Sequence, residues 1–198
     1  MDKKTNGTNH QNSAAEFTLT QEEIQRLFKA ARTTRDELIV KVLYFSGIRR
    51  QELCDLDVPD IQFDRGRVVV RSGKGGKERT VLLPQSILDD LRKHLGRRRV
   101  GPVFQSERRS KRLSVRGVNH IVATIGEKAG ISNPNPRLVN INPHLLRHSF
   151  ARHYLSKGGD LRKLSQLLGH ANVAITHAVY GTASEEEMQD EYRTLMGD

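Results

Sequence analysis

The 198-residue sequence is poor in cysteine, in acidic residues and in long apolar runs. Its single cysteine, Cys54, excludes an internal disulfide framework and fits a reducing, cytoplasmic compartment. No apolar stretch is long enough to span a bilayer, so no membrane contact is expected, and no signal peptide opens the chain. Asp and Glu number 23 against 33 Lys and Arg, a net charge of +10. The simplest partner for that excess is a polyanion, nucleic acid first. Neither a clustered Asp/Glu pair nor Cys and His at metal-ligand spacing occurs, so neither metal nor cofactor is expected. Cys54 lies in the apolar pattern Leu53-Cys54-Asp55-Leu56 and reads as a small packed residue rather than a nucleophile. The length suits one domain, or one plus a tail, with enough chain to bury a core.

What is present centres on residues 142–170. Asn142 can cap a helix, Pro143 suits its first position, and Leu146, Phe150, Ala151 and Tyr154 recur at helical spacing. Lys157-Gly158-Gly159 closes that helix, and Asp160 can cap the next, which runs through Leu161, Leu164, Leu167 and Leu168 to Gly169. His144 and Arg147 are three residues apart and share a face at a helix start. His170 follows the second helix. A helix N-terminus, a guanidinium and imidazole donors all favour an anionic oxygen. His144 and His148 are four apart, as in a zinc pair, but no Glu follows His144 and Arg147 between them repels a cation.

Residues 1–16 are polar and without periodicity, and are expected to be a disordered arm. Thr20 and Glu23 form a capping box for a helix through Ile24, Leu27, Phe28 and Ala31. A second helix is expected over 36–46, ended by Gly47. Arg49 opens a third, whose apolar face is Leu53 and Leu56. An Arg at a helix start opposes the macrodipole unless an anion binds there, although an ordinary surface pairing of Arg49 or Arg50 with Glu52 or Asp55 also explains it. Residues 67–71 and 79–83 read as strands joined by the Gly-rich tip Ser72-Gly73-Lys74-Gly75-Gly76-Lys77, which lacks the Ser/Thr and the following helix of a P-loop. A helix follows over 85–95. The basic clusters Arg97, Arg98, Arg99 and Arg108, Arg109, Lys111, Arg112 suit phosphates, though solvated loop charges account for them as well. A helix over 114–129 follows, with Val118, Ile121, Val122 and Ile125 inward. Residues 184–196 form an acidic-capped helix with a Met188, Tyr192, Leu195 stripe.

His144-Leu-Leu-Arg147-His148-Ser-Phe-Ala and Leu168-Gly169-His170 resemble the second box of the tyrosine recombinases, the phage-integrase family. Gly47-Ile48-Arg49-Arg50-Gln51-Glu52-Leu53 is similar to its first box, and Gly73-Lys74-Gly75-Gly76-Lys77-Glu78-Arg79 to its lysine hairpin. The resemblance implies an α+β, mostly α catalytic domain over 17–183, with the helix of 184–198 docking on a neighbouring protomer. It implies a site-specific recombinase of the kind mobile elements carry, cutting and rejoining double-stranded DNA through a 3′-phosphotyrosyl link. Arg49, Arg147 and His170 would hold the phosphate, His144 would handle the proton of the nucleophile, and Lys74 would protonate the leaving oxygen, with Lys77 in reserve. The family's nucleophilic tyrosine follows its Leu-Gly-His turn. Tyr180 fits, ten residues past His170, where nine is the more familiar spacing. Tyr44 and Tyr154 sit on apolar stripes, and Tyr192 is too far along. Lys77, Arg79, Arg116, Asn119 and His120 join the basic clusters as expected DNA contacts, the last three as base contacts from a helix in the major groove. Expected partners are DNA, copies of the chain in a tetrameric synapse, and accessory DNA-binding proteins. Residues 1–16 are too few for the family's N-terminal core-binding domain, which implies an excised catalytic domain or a small single-domain recombinase. A type IB topoisomerase and a non-catalytic DNA-binding regulator are the alternatives, but the wording of the boxes favours a recombinase.

Overall fold

Helix α2 (Thr34–Ser46) is apolar nearly all round: Leu38, Ile39, Val40, Val42, Leu43 and Tyr44 are all buried. A helix of that kind must be wrapped by others. In the computed structural model, which describes residues 17–71, 78–106, 111–170 and 172–181, α2 packs against five helices. These are α1 (Gln21–Ala30), α3 (Arg50–Asp55), α4 (Gln85–Leu95), α5 (Val115–Lys128) and α6 (Pro143–Ser156). Two short helices, α7 (Leu161–Leu168) and α8 (Val173–Tyr180), complete the set among the described residues. Strands β1 (Ile61–Gln62), β2 (Arg67–Val70) and β3 (Arg79–Leu82) form an antiparallel sheet in the order β1-β2-β3. The fold is therefore α+β and mostly α, as the sequence indicates. The arm of residues 1–16 and the C-terminal helix expected over 184–196 lie outside the described residues.

The local chemistry explains the boundaries. Thr20 and Glu23 make the capping box of α1, bonded both ways at 3.2 and 2.8 Å. Asn142 caps α6 and Asp160 caps α7, each through a side-chain oxygen and the N–H three residues on. The second helix starts at Thr34, two residues before the expected 36, because Thr33 accepts the Asp36 N–H as its cap. Strand β1 escapes sequence reading because two residues carry no period-2 signal. Val68 and Val81 face each other in register on the buried side of the sheet, and Val70 pairs with Arg79 where the hairpin leaves it. Cys54 is a buried free thiol, and burial and then Asp55 push its pKa up to about 11, so it packs and does not react.

Ser149 ties the chain start to α6: its buried hydroxyl accepts the Leu19 N–H at 2.9 Å and donates to Leu145 O. A second, smaller apolar cluster of Ala151, Leu164, Leu168 and Tyr180 joins α6, α7 and α8. That cluster carries α8, and with it Tyr180, onto the face where α6 begins. No helix among the described residues is long and apolar enough to cross a membrane.

Candidate active site

Arg147 is only 4% exposed. Its Nη1 donates to Gly47 O at 2.5 Å, and its Nη2 donates to Leu168 O at 2.9 Å and to His170 Nε2 at 3.0 Å. Both carbonyls stand at helix C-termini: Gly47 closes α2 in the left-handed region at φ +61°, and Leu168 is the last residue of α7. The guanidinium thus rests on the negative ends of two helices. A Cβ at Gly47 would lie 2.6 Å from the Phe150 ring, so only glycine brings this carbonyl in. Burial and then Arg49 lower the Arg147 pKa to about 10, which leaves it charged at neutral pH.

Arginine can only donate, so His170 Nε2 accepts and its ring proton sits on Nδ1. That proton is given to Thr176 Oγ1 at 2.8 Å, and Thr176 is fully buried in α8. Burial, followed by Arg147, pushes His170 down to about 4, so it is neutral in the free protein.

Tyr180, the last residue of α8, is 4% exposed, and its hydroxyl lies 2.7 Å from His148 Nδ1. His148 Nε2 lies 2.8 Å from His144 Nε2, one turn back on α6 at the cleft. Burial raises the phenol to about 12, against a weaker pull down from Arg147. Burial lowers His148 to about 4, and His144, Arg147 and His170 add to that. His144 is lowered by desolvation and by Arg147, Arg50 and Arg49.

Arg49 is the N-cap residue of α3 and is half exposed at the cleft. Its N–H donates to Glu52 Oε2 at 2.7 Å and its Nη1 to Glu52 Oε1 at 3.1 Å. The same carboxylate takes a two-pronged bond from Arg79, 2.7 Å on each prong. Arg79 Nε also donates to Leu167 O at 2.9 Å. Gly169, at φ +67°, makes room for it: a Cβ there would stand 2.7 Å from Arg79 Cδ. Strand β3, α3 and α7 are thereby tied together beneath the cleft.

The cleft itself has a volume of about 720 Å³. Arg49, Arg50, His144, Arg147, His148, His170 and Tyr180 line it, with Asn142 and Pro143 at the start of α6. No carboxylate lines it among the described residues. Guanidiniums, imidazoles and a helix N-terminus around one phenol suit a tetrahedral oxyanion beside a nucleophile. Among the described residues no three His, Cys, Asp or Glu side chains converge to hold a metal ion.

The structure gathers Arg49, His144, Arg147, His170 and Tyr180 on this cleft, as their spacing and resemblance suggest. Lys74, Lys77, Arg108 and Arg109 lie outside the described residues. The remaining basic candidates divide. Arg79 is built into the fold as above. Arg98 donates to Pro102 O and Val103 O, and Arg112 to Cys54 O and Asp57 Oδ1. Arg99 bonds the carbonyl of Gly96. Arg97, Lys111, Arg116 and His120 are exposed away from the cleft wall. Asn119 lines the cleft and accepts from Arg50 at 3.3 Å. Sequence reading passed over His148, seen only as half of a would-be zinc pair, and Thr176. The i, i+4 placement of His148 on the His144 face was the available signal.

The model of the phage integrase family matches residues 18–187. The tyrosine recombinase XerA of Thermococcus kodakarensis is 40% identical over 177 residues, which cover 86% of this chain and 60% of that protein. The crystal structure of XerA recombinase superposes with a TM-score of 0.76 at 33% identity, covering 90% of this chain and 65% of that one. XerH site-specific recombinase bound to its difH substrate shares the fold, with a TM-score of 0.71 at 22% identity over 91% of this chain and 55% of that one. The chain therefore spans about three fifths of the curated relative's length. Matched by that family's model over most of its length, this chain belongs to the phage integrase family.

Proposed function

We propose that this chain is the catalytic domain of a site-specific recombinase that cuts and rejoins double-stranded DNA through a 3′-phosphotyrosyl link. The observation that carries the reading is Tyr180 held against an imidazole at the edge of a cleft that also contains Arg147, His170 and Arg49. Related proteins named as recombinases, one of them solved on its difH substrate, support it.

Each group has a role that its position allows. Arg147 and Arg49 hold the non-bridging oxygens and offset the charge that builds on phosphorus. His170 adds a hydrogen bond on the same side. Because its Nε2 accepts in the free protein, it donates to phosphate only after taking a proton, which an arriving anion favours. Tyr180 attacks phosphorus and the 5′ oxygen leaves. Lys74, which lies in the sequence between β2 and β3, supplies the proton to that oxygen, with Lys77 as substitute. The bond energy is kept in the new ester, so religation is the reverse reaction.

Exposed Arg97, Lys111, Arg116 and His120, together with Arg108 and Arg109, extend the DNA contact beyond the cleft. Residues 17–183 act as the catalytic unit, with 1–16 as an arm and 184–198 reaching a neighbouring protomer. Self-association as a tetramer on DNA, accessory proteins and a place among chromosomal DNA in the cytoplasm belong to the same reading.

The test mixes the protein with supercoiled DNA carrying the sequences that flank its gene, in EDTA, and quenches with detergent. A 3′-linked protein–DNA adduct that disappears in Tyr180→Phe is the expected result. Unimpaired recombination by Tyr180→Phe would refute it. DNA binding with no adduct would favour a non-catalytic regulator.

A further inference from the structure

Between the phenol of Tyr180 and His144 stands His148, with one ring nitrogen bonded to each. Among the described residues the Tyr180 hydroxyl has this one hydrogen-bond partner, and it is almost fully buried, so its proton points at His148 Nδ1. His148 is then the Nε2–H tautomer, which donates to His144 Nε2, and His144 opens on the cleft. The three side chains form a directed wire from nucleophile to phosphate site.

We infer that His148 is the group that takes the Tyr180 proton and passes it to His144 as the phenol attacks. The inference rests on the recombinase reading and deepens it. The step balances. The Tyr180 O–H bond breaks and His148 Nδ1–H forms. His148 Nε2–H breaks and His144 Nε2–H forms. The Tyr180 oxygen bonds phosphorus, and the 5′ oxygen leaves with a proton from Lys74. The outcome is a neutral His148 in its other tautomer and an imidazolium at His144.

That destination explains why two imidazoles stand in series. The new cation appears at His144 on the cleft, one imidazole removed from the phenol oxygen that bonds phosphorus. In the free protein Arg49, Arg50 and Arg147 face His144, and His144, Arg147 and His170 face His148 with Tyr180 opposite; the cations resist a proton on the wire. A bound phosphodiester offsets those cations. Tyr180 is therefore deprotonated only when DNA occupies the cleft, which protects against unproductive phenolate chemistry.

The experiment is single-turnover cleavage of a DNA site whose scissile position carries a bridging 5′ sulfur. Sulfur leaves without a proton, so the rate reports the nucleophile side alone. His148→Asn keeps an acceptor near the Nδ1 position but cannot relay. It is expected to bind DNA normally, to cleave about 100-fold more slowly, and to gain a rate that rises with pH, whereas the unmodified protein changes little from pH 7 to 9. The double variant with His144→Asn should be about as slow as His148→Asn alone, as for residues acting as one unit. Cleavage by His148→Asn at the unmodified rate and pH profile would overturn the relay, as would losses that multiply in the double variant. A readout that does not depend on any variant's folding is the rate in mixed light and heavy water. Two protons in flight give a curved dependence, and a straight line overturns the inference. An unmodified protein that forms no adduct on either substrate sinks the recombinase reading, and the relay with it; a relay failure leaves the adduct intact.

Discussion

Replacing Glu52 by Gln tests the structural logic under the cleft. Four donors converge on this carboxylate: two from the Arg79 fork, the Arg49 N–H and the Arg49 guanidinium. Glu52 and Arg79 are only 11% and 12% exposed, whereas the Arg49 side chain is 48% exposed. The Arg49 side-chain bond therefore contributes little. The loss falls on Arg79, which keeps one prong at best while the amide NH₂ of glutamine confronts the other. Breaking a buried ion pair costs about 3–5 kcal/mol, and the retained prong returns roughly 1 kcal/mol of that. The expected destabilisation is about 2–4 kcal/mol, or a Tm lower by roughly 4–16 °C in a domain of this size.

The pH dependence supplies the sign. Burial pushes the Glu52 carboxyl up, but the bonds from Arg79 and the Arg49 N–H outweigh it and hold it below its usual value. A carboxyl lowered in the folded state stabilises fully above its unfolded pKa, and that contribution is lost as pH falls through the folded value. Melting curves followed by circular dichroism should therefore separate the two proteins at pH 7 and bring them together in acid, where Glu52 is itself protonated. Equal melting temperatures at neutral pH, or a gap that persists unchanged into strong acid, would refute the reasoning.

Other expectations follow from single positions. Gly47→Ala puts a side chain at φ +61° and a Cβ 2.6 Å from Phe150, and should cost about 2–4 kcal/mol in urea unfolding. An unchanged midpoint would show that Phe150 moves freely. Thr176→Val removes the acceptor that fixes the His170 tautomer; adduct formation should fall by about 2- to 10-fold at unchanged DNA affinity, and Thr176→Ser should restore it. Rescue failing with serine would point to packing instead. His148 and His170 are both pushed from 6.5 down to about 4, so their contribution to stability is whole above pH 6.5 and is lost as pH falls toward 4. Chemical unfolding at pH 5 should show a lower midpoint than at pH 7, and a flat profile would contradict the depressed values.

Much of the site was legible because its parts obey local rules. Asn142-Pro143 announces a helix start, and the three-residue spacing of His144 and Arg147 puts them on one face. Leu168-Gly169-His170 reads as a helix stop with a histidine just past it. Glu52 could be read as a partner of Arg49 from its i+3 position alone. What stayed hidden depends on distance along the chain. His148 meets Tyr180 across 32 residues, and no window of sequence contains both. Charge alone does not show what an arginine bonds within the fold: the guanidiniums of Arg79, Arg98 and Arg112, expected as DNA contacts, donate to carbonyls and carboxylates of their own chain. A planar fork of donors serves either purpose, and only the packing decides.

The way Arg147 is held has a consequence for how this protein can change over time. Its two carbonyl partners, on Gly47 and Leu168, belong to the main chain, and no codon alters a peptide oxygen. Solvent-facing side chains on α2 and α7 can be exchanged so long as both helices still end where they do and residue 47 stays glycine. The seat of this deeply buried charge is thus inherited with helix length and one glycine rather than with an acidic partner. Distant relatives with few letters in common can keep it, and an engineer who redesigns the surface of either helix leaves it intact; a one-residue insertion ahead of Gly47 or Gly169 would remove it at a stroke.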